Sequence, residues 1–449
     1  MSLNDSGPPP GTAPGTGAGP GGQPGVVLRT PADPGFRAAA RTVNLDVEAR
    51  PAAVVDCADP GAVASVLAAT GDLPVAVRGS GWSPAGRSTL DGGLVLTLTG
   101  LRGIELDPDG TTVRVGAGVT AGELDLALAP YGRTLGLPSP GEPSVVGSVL
   151  LGGVGLTARA LGYTCDALLA ATVVTADGRV LEADDGGHPE LMWALRGGGG
   201  GFGAVTGVTL RTWPVPVLDS LRCVYPLSGF RAVLEFLSAW GPGLAPEVTV
   251  VVMARTLPRH PAIPRRYRDR VGVVVSAVST RPGGDALAPL GALAGALHQD
   301  RARIPPSRAH PAFPHRRFGV RTRSGWLGDL TGPAIEALVE AADGLPAGLS
   351  MVEVGLLGGA VATPPLPSAA PGRTARFLVN LMGMWPEDGH APPVLDWLSS
   401  TDPGRRLGGG GAVPAFASGG QPVAVDLPRV RAVRDAYDPT GRFRRSGIT

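Results

Sequence analysis

The chain has 449 residues, 43% of them apolar, and a formal net charge of +1. This exceeds the about 250–300 residues at which a single core stops growing, so two domains are expected, and the near-neutral charge argues against nucleic acid or an anionic membrane as partner, since either usually needs a concentrated basic face. All 39 basic residues are arginine, which rules out a Walker-type lysine, a pyridoxal Schiff base and a lysine general base.

Residues 1 to about 30 are rich in Gly, Pro, Thr and Ala without periodicity and read as a disordered tail. They show no basic region followed by an apolar stretch, and no apolar run in the chain approaches the ~18 residues of a membrane span, so a cytoplasmic location is expected. The cysteines Cys57, Cys165 and Cys223 form no C-x-x-C and imply neither a disulfide framework nor a zinc site. From Pro31 onward, strand-like runs at 53–56, 74–77, 94–98, 111–115 and 171–175 alternate with helical segments at 60–69 and 121–129, which makes residues 31–216 an α+β domain. Asp91-Gly92-Gly93, Asp107-Pro108-Asp109-Gly110 and Asp177-Gly178 mark turns at the strand junctions.

Three glycine clusters punctuate this domain. Arg78-Gly79-Ser80-Gly81-Trp82-Ser83 follows an apolar run directly and is built to wrap backbone N–H groups around an anion. Gly147-Ser148-Val149-Leu150-Leu151-Gly152-Gly153-Val154-Gly155 and the run Arg196 to Gly203 allow close backbone approach to a large flat molecule. Two matches to the Rossmann fingerprint are discounted. The one at Gly116 lacks an acidic residue ~20 positions on, and the one at Gly198 follows a helix-like segment rather than a strand.

Taken with Asp166, the Val173 to Gly178 run and the closing Tyr437-Asp438-Pro439, these clusters resemble the FAD-binding domain of the p-cresol methylhydroxylase type, as found in berberine-bridge-enzyme-like oxidoreductases. The resemblance implies an α+β fold with a two-part FAD-binding domain at 31–216, a substrate domain at 217–420 built as a sheet covered by helices, and a segment at 421–449 returning to the first domain. It implies FAD held by Gly79, Ser80, Gly81, Trp82 and Ser83 at the pyrophosphate, with Arg78 in the same loop. Gly147, Ser148, Gly152, Gly153 and Gly155 would lie along the ribityl chain and flavin, with Asp166 nearby and Val173 toward the adenosine.

The chain departs from the family at several positions. The loop usually reads R-x-G-G-H-S, its histidine covalently bonded to the flavin; here Trp82 takes that place, and the second, cysteinyl tether aligns at or beside Pro143. FAD is therefore expected to bind without a covalent link, with Trp82 filling volume at the flavin rim. The tyrosine and asparagine usual near the end of the substrate domain align with Val413-Pro414-Ala415-Phe416, and the family's His-Arg is Gly372-Arg373. Glu353 survives on its strand and is the candidate general base, since a carboxylate in an apolar recess has a raised pKa. Arg373 could pair with it or bind an anionic substrate. No histidine spacing indicates a metal, and His310 and His315 sit in a proline-rich loop.

These features imply an FAD-dependent oxidase or dehydrogenase taking hydride from a small, secondary-metabolite-like molecule. A redox-neutral cyclase or isomerase and a flavin-free, non-catalytic homologue are the alternatives on the same fold. Nothing in the sequence sets the oligomeric state.

Overall fold

The computed structural model describes residues 24–309, 317–401, 413, 414, 416 and 426–444. Val26–Arg29 (β1), Ala53–Cys57 (β2), Val75–Arg78 (β3) and Leu94–Thr97 (β4) form a sheet in the order β1-β2-β4-β3, parallel except for β1. β1 corrects the extent of the expected tail. Its Val-Val-Leu run pairs along β2 and buries Val26, giving it both a hydrogen-bonded ladder and an apolar contact. Residues 1–23 lie outside the described part, as do His310 and His315.

A second sheet contains Ile104–Leu106 (β5) and Thr112–Gly116 (β6). After the short strand Arg133–Thr134 (β7), it continues with Leu168–Val174 (β8), Val180–Asp184 (β9) and Ala204–Arg211 (β10), in the order β5-β6-β10-β8-β9. Trp213–Pro214 (β11) pairs with β7 at the exit from this region. The helix Pro60–Ala69 starts where Asp59 accepts the Ala62 N–H at 2.7 Å and proline occupies the first turn. Thr120 and Glu123 form a reciprocal capping box at the start of Ala121–Leu128.

The third sheet is antiparallel throughout: Leu218–Pro226 (β12), Val248–Thr256 (β13), Val271–Ser279 (β14), His298–Ile304 (β15), Phe318–Leu327 (β16), Met351–Leu356 (β17) and Phe377–Pro386 (β18). Their order is β15-β12-β14-β13-β17-β18-β16. Helices Phe230–Trp240, Gly332–Asp343 and Pro392–Ser400 cover one face. Phe230, Val233, Leu234 and Leu237, at helical spacing, pack there against Val250, Val252, Val352 and Val354 of the sheet. Strand alternation leaves the opposite face free to meet the first domain.

Buried arginines join the two halves. Arg159 donates to the carbonyls of Val248 at 2.6 Å, Leu244 at 2.8 Å and Leu357. The C-terminal helix Leu427–Tyr437 lies on Pro189–Leu195, with Arg429 paired to Glu190 and stacked 3.9 Å over the Trp193 ring. Beyond it the Val75 N–H donates to the Arg442 carbonyl at 2.8 Å, so the chain end abuts the first sheet. Among the described residues no helix is long and apolar enough to cross a membrane.

Candidate functional site

β3 delivers the chain into the first glycine loop, and the loop's donors fall into two classes. Arg78 does not point at a ligand: its buried guanidinium donates to the carbonyls of Ser88 (3.1 Å), Ala39 (2.5 Å) and Ala40 (3.3 Å), and burial pushes its pKa down to about 10. Its side chain is thus an anchor for the loop, which leaves only its backbone to meet a cofactor. Gly79 packs so tightly that a Cβ would lie 2.6 Å from Ser144 Oγ and 2.8 Å from the Ala117 carbonyl, and Gly81 has a left-handed φ of +80°. Among the described residues the N–H groups of Gly79, Ser80 and Gly81 have no acceptor. Ser83 Oγ accepts the Arg87 N–H at 3.0 Å.

The second cluster sits beside that loop. Ser144 caps the helix Val145–Leu150 by accepting the Gly147 N–H at 3.2 Å, and Ser148 Oγ donates back to the Ser144 carbonyl at 2.9 Å. Gly152 and Gly153 have φ of +93° and +69°, and a side chain on Gly153 or Gly155 would strike Thr164 or the Leu137 carbonyl.

The side chains of Asp166 and Val173 are both engaged within the protein. The Asp166 side chain is fully buried and grips Arg373 with both oxygens, at 2.6 and 2.7 Å, while also accepting the Tyr163 N–H at 2.8 Å. Arg373 is therefore engaged with Asp166 and not with Glu353. Its guanidinium also lies 4.6 Å over the Tyr163 ring and donates to Ser368 Oγ at 2.8 Å. Val173 is wholly buried on β8, between β10 and β9, with its side chain inside the core. Cys165 is equally enclosed, and burial pushes its thiol well above the ordinary range.

Opposite these loops is the uncovered face of the third sheet. Register places Met253, Glu353, Asn380 and Ser324 in one row across β13, β17, β18 and β16, and Arg255, Met351, Met382 and Thr322 in the next. Glu353 keeps a little accessible surface yet lies deep in protein, as a side chain lining a recess does. Burial pushes its carboxyl up, and the Asn380 amide, 3.5 Å away, opposes this weakly. The Asn380 carbonyl oxygen is buried without a partner.

Trp82 carries the first loop onto this face. Its ring lies 5.3 Å from that of Phe318, and it packs against a cluster of Phe318, Val320 and Met384 that also takes in Met351 and Met382. The segment read as the lost tyrosine and asparagine lies on the same face. Val413 N–H donates to Ser324 Oγ at 3.1 Å, the Phe416 carbonyl accepts from Thr322, and Arg87 donates to the Pro414 carbonyl at 2.9 Å. Ala415 is outside the described residues.

Asn380, Arg255, Thr322, Ser324 and Arg87 escaped the sequence reading. The available signal was alternation: once Glu353 is on a face, its partners follow from register, but register requires the strand order. Three adjacent N–H groups at a strand end, without acceptors among the described residues and one on a left-handed glycine, have the form of a backbone nest of the kind that takes anions. With glycines lining the neighbouring turn, the residues present fit the pyrophosphate and flat ring system of FAD.

Comparison with known proteins agrees. Residues 51–184 match the FAD binding domain. Over 188 residues the chain is 36% identical to (R)-6-hydroxynicotine oxidase of Paenarthrobacter nicotinovorans, covering 41% of each protein. Over 217 residues it is 31% identical to an uncharacterized FAD-linked oxidoreductase of Bacillus subtilis, covering 47% of this chain and 48% of the relative. The chain thus matches somewhat under half the length of these curated relatives. Among solved structures, 6-hydroxy-D-nicotine oxidase from Arthrobacter nicotinovorans superposes with a TM-score of 0.79 at 24% identity, over 94% of this chain and 97% of that one. A Physcomitrella patens berberine-bridge-enzyme-like protein gives 0.80 at 20% identity, over 95% and 97%.

Proposed function

Because residues 51–184 constitute an FAD binding domain in a chain with the fold of berberine-bridge-enzyme-like oxidoreductases, we propose that this protein is an FAD-dependent oxidoreductase that oxidises a small molecule at a CH–OH group. The loop N–H groups of Gly79, Ser80 and Gly81 would hold the pyrophosphate, and the backbone around Gly147, Gly152 and Gly153 would line the ring system. When bound, FAD supplies the acceptor for a substrate hydride. The chain's own contribution is a proton acceptor, an oriented pocket and the exclusion of water.

The observation that carries this reading is Glu353. A buried carboxyl with a raised pKa, on the one sheet face that meets the glycine loops, is placed to take the proton of a substrate hydroxyl. Asn380 holds one of its oxygens and its own free carbonyl oxygen can accept from the same substrate. Trp82 and the methionines supply the apolar walls.

We further propose that FAD binds without a covalent tether. Indole offers no nucleophilic ring nitrogen, Trp82 is committed to Phe318, and the Cys165 thiol is enclosed and held protonated by burial. The purified protein should be yellow, and anaerobic addition of a substrate should bleach it. A yellow protein that converts its substrate without bleaching would select the redox-neutral cyclase or isomerase reading, and a colourless one that binds no added FAD would select the flavin-free reading.

A further inference from the structure

The deeply placed arginines of this protein spend their guanidinium groups on acceptors. Arg78, Arg159 and Arg442 serve backbone carbonyls, and Arg196 and Arg373 pair with Asp185 and Asp166. Arg255 is the exception. It is half-buried on β13, and among the described residues no carboxylate, carbonyl or aromatic ring pairs with it. Its neighbours are apolar: Met253 two positions back, Met351 directly across, and on the other side Gly272, against which Leu257 packs. Burial and the like charge of Arg222 both disfavour its charged form. A cation in such surroundings is costly, and a methionine or glutamine would fit the same volume without the charge. Lysine is absent from the chain, so the choice of arginine carries no information; its position does.

That position is defined by register. Ala254 and Val252 face the helix-covered core, so Arg255 shares the opposite face with Met253, the direct partner of Glu353. Arg255 and Glu353 are diagonal neighbours, with side chains rooted about 7 Å apart, and they do not pair. We infer that Arg255 binds an anionic group of the substrate, a carboxylate, and that the molecule oxidised here is a hydroxy acid about one ring wide whose hydroxyl lies at Glu353. This rests on the proposed function for the role of Glu353 but not for the anion site itself. Arginine's planar fork matches a carboxylate with two parallel hydrogen bonds, and the apolar surroundings strengthen them by excluding water.

The test is a binding measurement that needs no turnover. Benzoate and benzamide, alike in shape and different in charge, are titrated by calorimetry into the protein as purified. Benzoate should bind at least tenfold tighter than benzamide. In Arg255→Gln that preference should vanish, in Arg255→Lys part of it should persist, and in Arg222→Gln most of it should persist. Arg255→Met serves as the fold control and should melt at or above the wild-type temperature, because it removes an unpaired buried charge. Equal affinity for the two probes in the wild-type protein, or a preference for benzoate that survives Arg255→Gln, would overturn the assignment. A colourless protein with an Arg255-dependent preference would refute the flavin reading and leave the anion site standing.

Discussion

Replacing Arg373 by methionine removes the charge that balances Asp166 while keeping most of the side-chain volume. Asp166 is fully buried and Arg373 is 16% exposed, so little water is on hand to take over. The substitution deletes two charge-assisted hydrogen bonds, worth about 1.5–3 kcal/mol each, together with a stacking contact over Tyr163. The Tyr163 N–H, 2.8 Å from Asp166, stays in place and limits the damage. The expected loss is therefore about 3–4 kcal/mol at pH 7, within the range for stranding one member of a buried pair. Urea unfolding followed by tryptophan fluorescence and circular dichroism measures this, with coincident curves licensing a single free energy. Adding Asp166→Asn should recover about 2 kcal/mol or more, because no unpaired charge is then left inside. A loss under 1 kcal/mol, or a double variant that is simply additive, would show that the pair does not join Tyr163–Asp166 to the segment around Arg373 in the way its geometry indicates.

Further outcomes are expected. Glu353→Gln should lower kcat by ~10²-fold or more with FAD content unchanged; the rise of kcat/KM with pH, centred above the ordinary ~4.3 of glutamate, should vanish with it, and unchanged turnover would make the residue structural. The same raised pKa destabilises the fold as pH rises from the unfolded value through the folded one, because the unfolded chain ionises first; Glu353→Gln should thus gain stability relative to wild type at pH 8 but not at pH 4, read from melting temperatures. Gly79→Ala forces a Cβ to 2.6 Å from Ser144 Oγ, so FAD affinity, measured by flavin fluorescence, should fall by about tenfold or more. Flavin should leave the wild-type protein on acid precipitation, and fluorescence retained on a denaturing gel would disprove the absence of a covalent tether. Trp82→His should cost about 1–3 kcal/mol, since the indole packs on Phe318.

The sequence alone determined what depends on near neighbours. The helix Pro60–Ala69, the strand runs of the first two sheets and the turn-forming glycines are local choices of propensity, capping and backbone freedom, legible without a partner. The position of Glu353 opposite Val352 and Val354 follows from strand alternation, and the tight turn at Gly79 to Gly81 from glycine placement. What the tertiary structure decided is which distant groups meet. Arg78, Asp166 and Arg373 look like ligand contacts in a linear chain, but Arg78 is spent on carbonyls up to 39 residues away, and Asp166 and Arg373 on each other across 207 residues, pairings that no local rule identifies. Arg255 shows the converse: in sequence it is one more arginine in an arginine-rich chain. Its lack of a partner among the described residues, and its place on the face that carries Glu353, emerge only when β13 and β17 lie side by side. Charge recognition is set by the whole surroundings of a group, and those surroundings exist only in the folded protein.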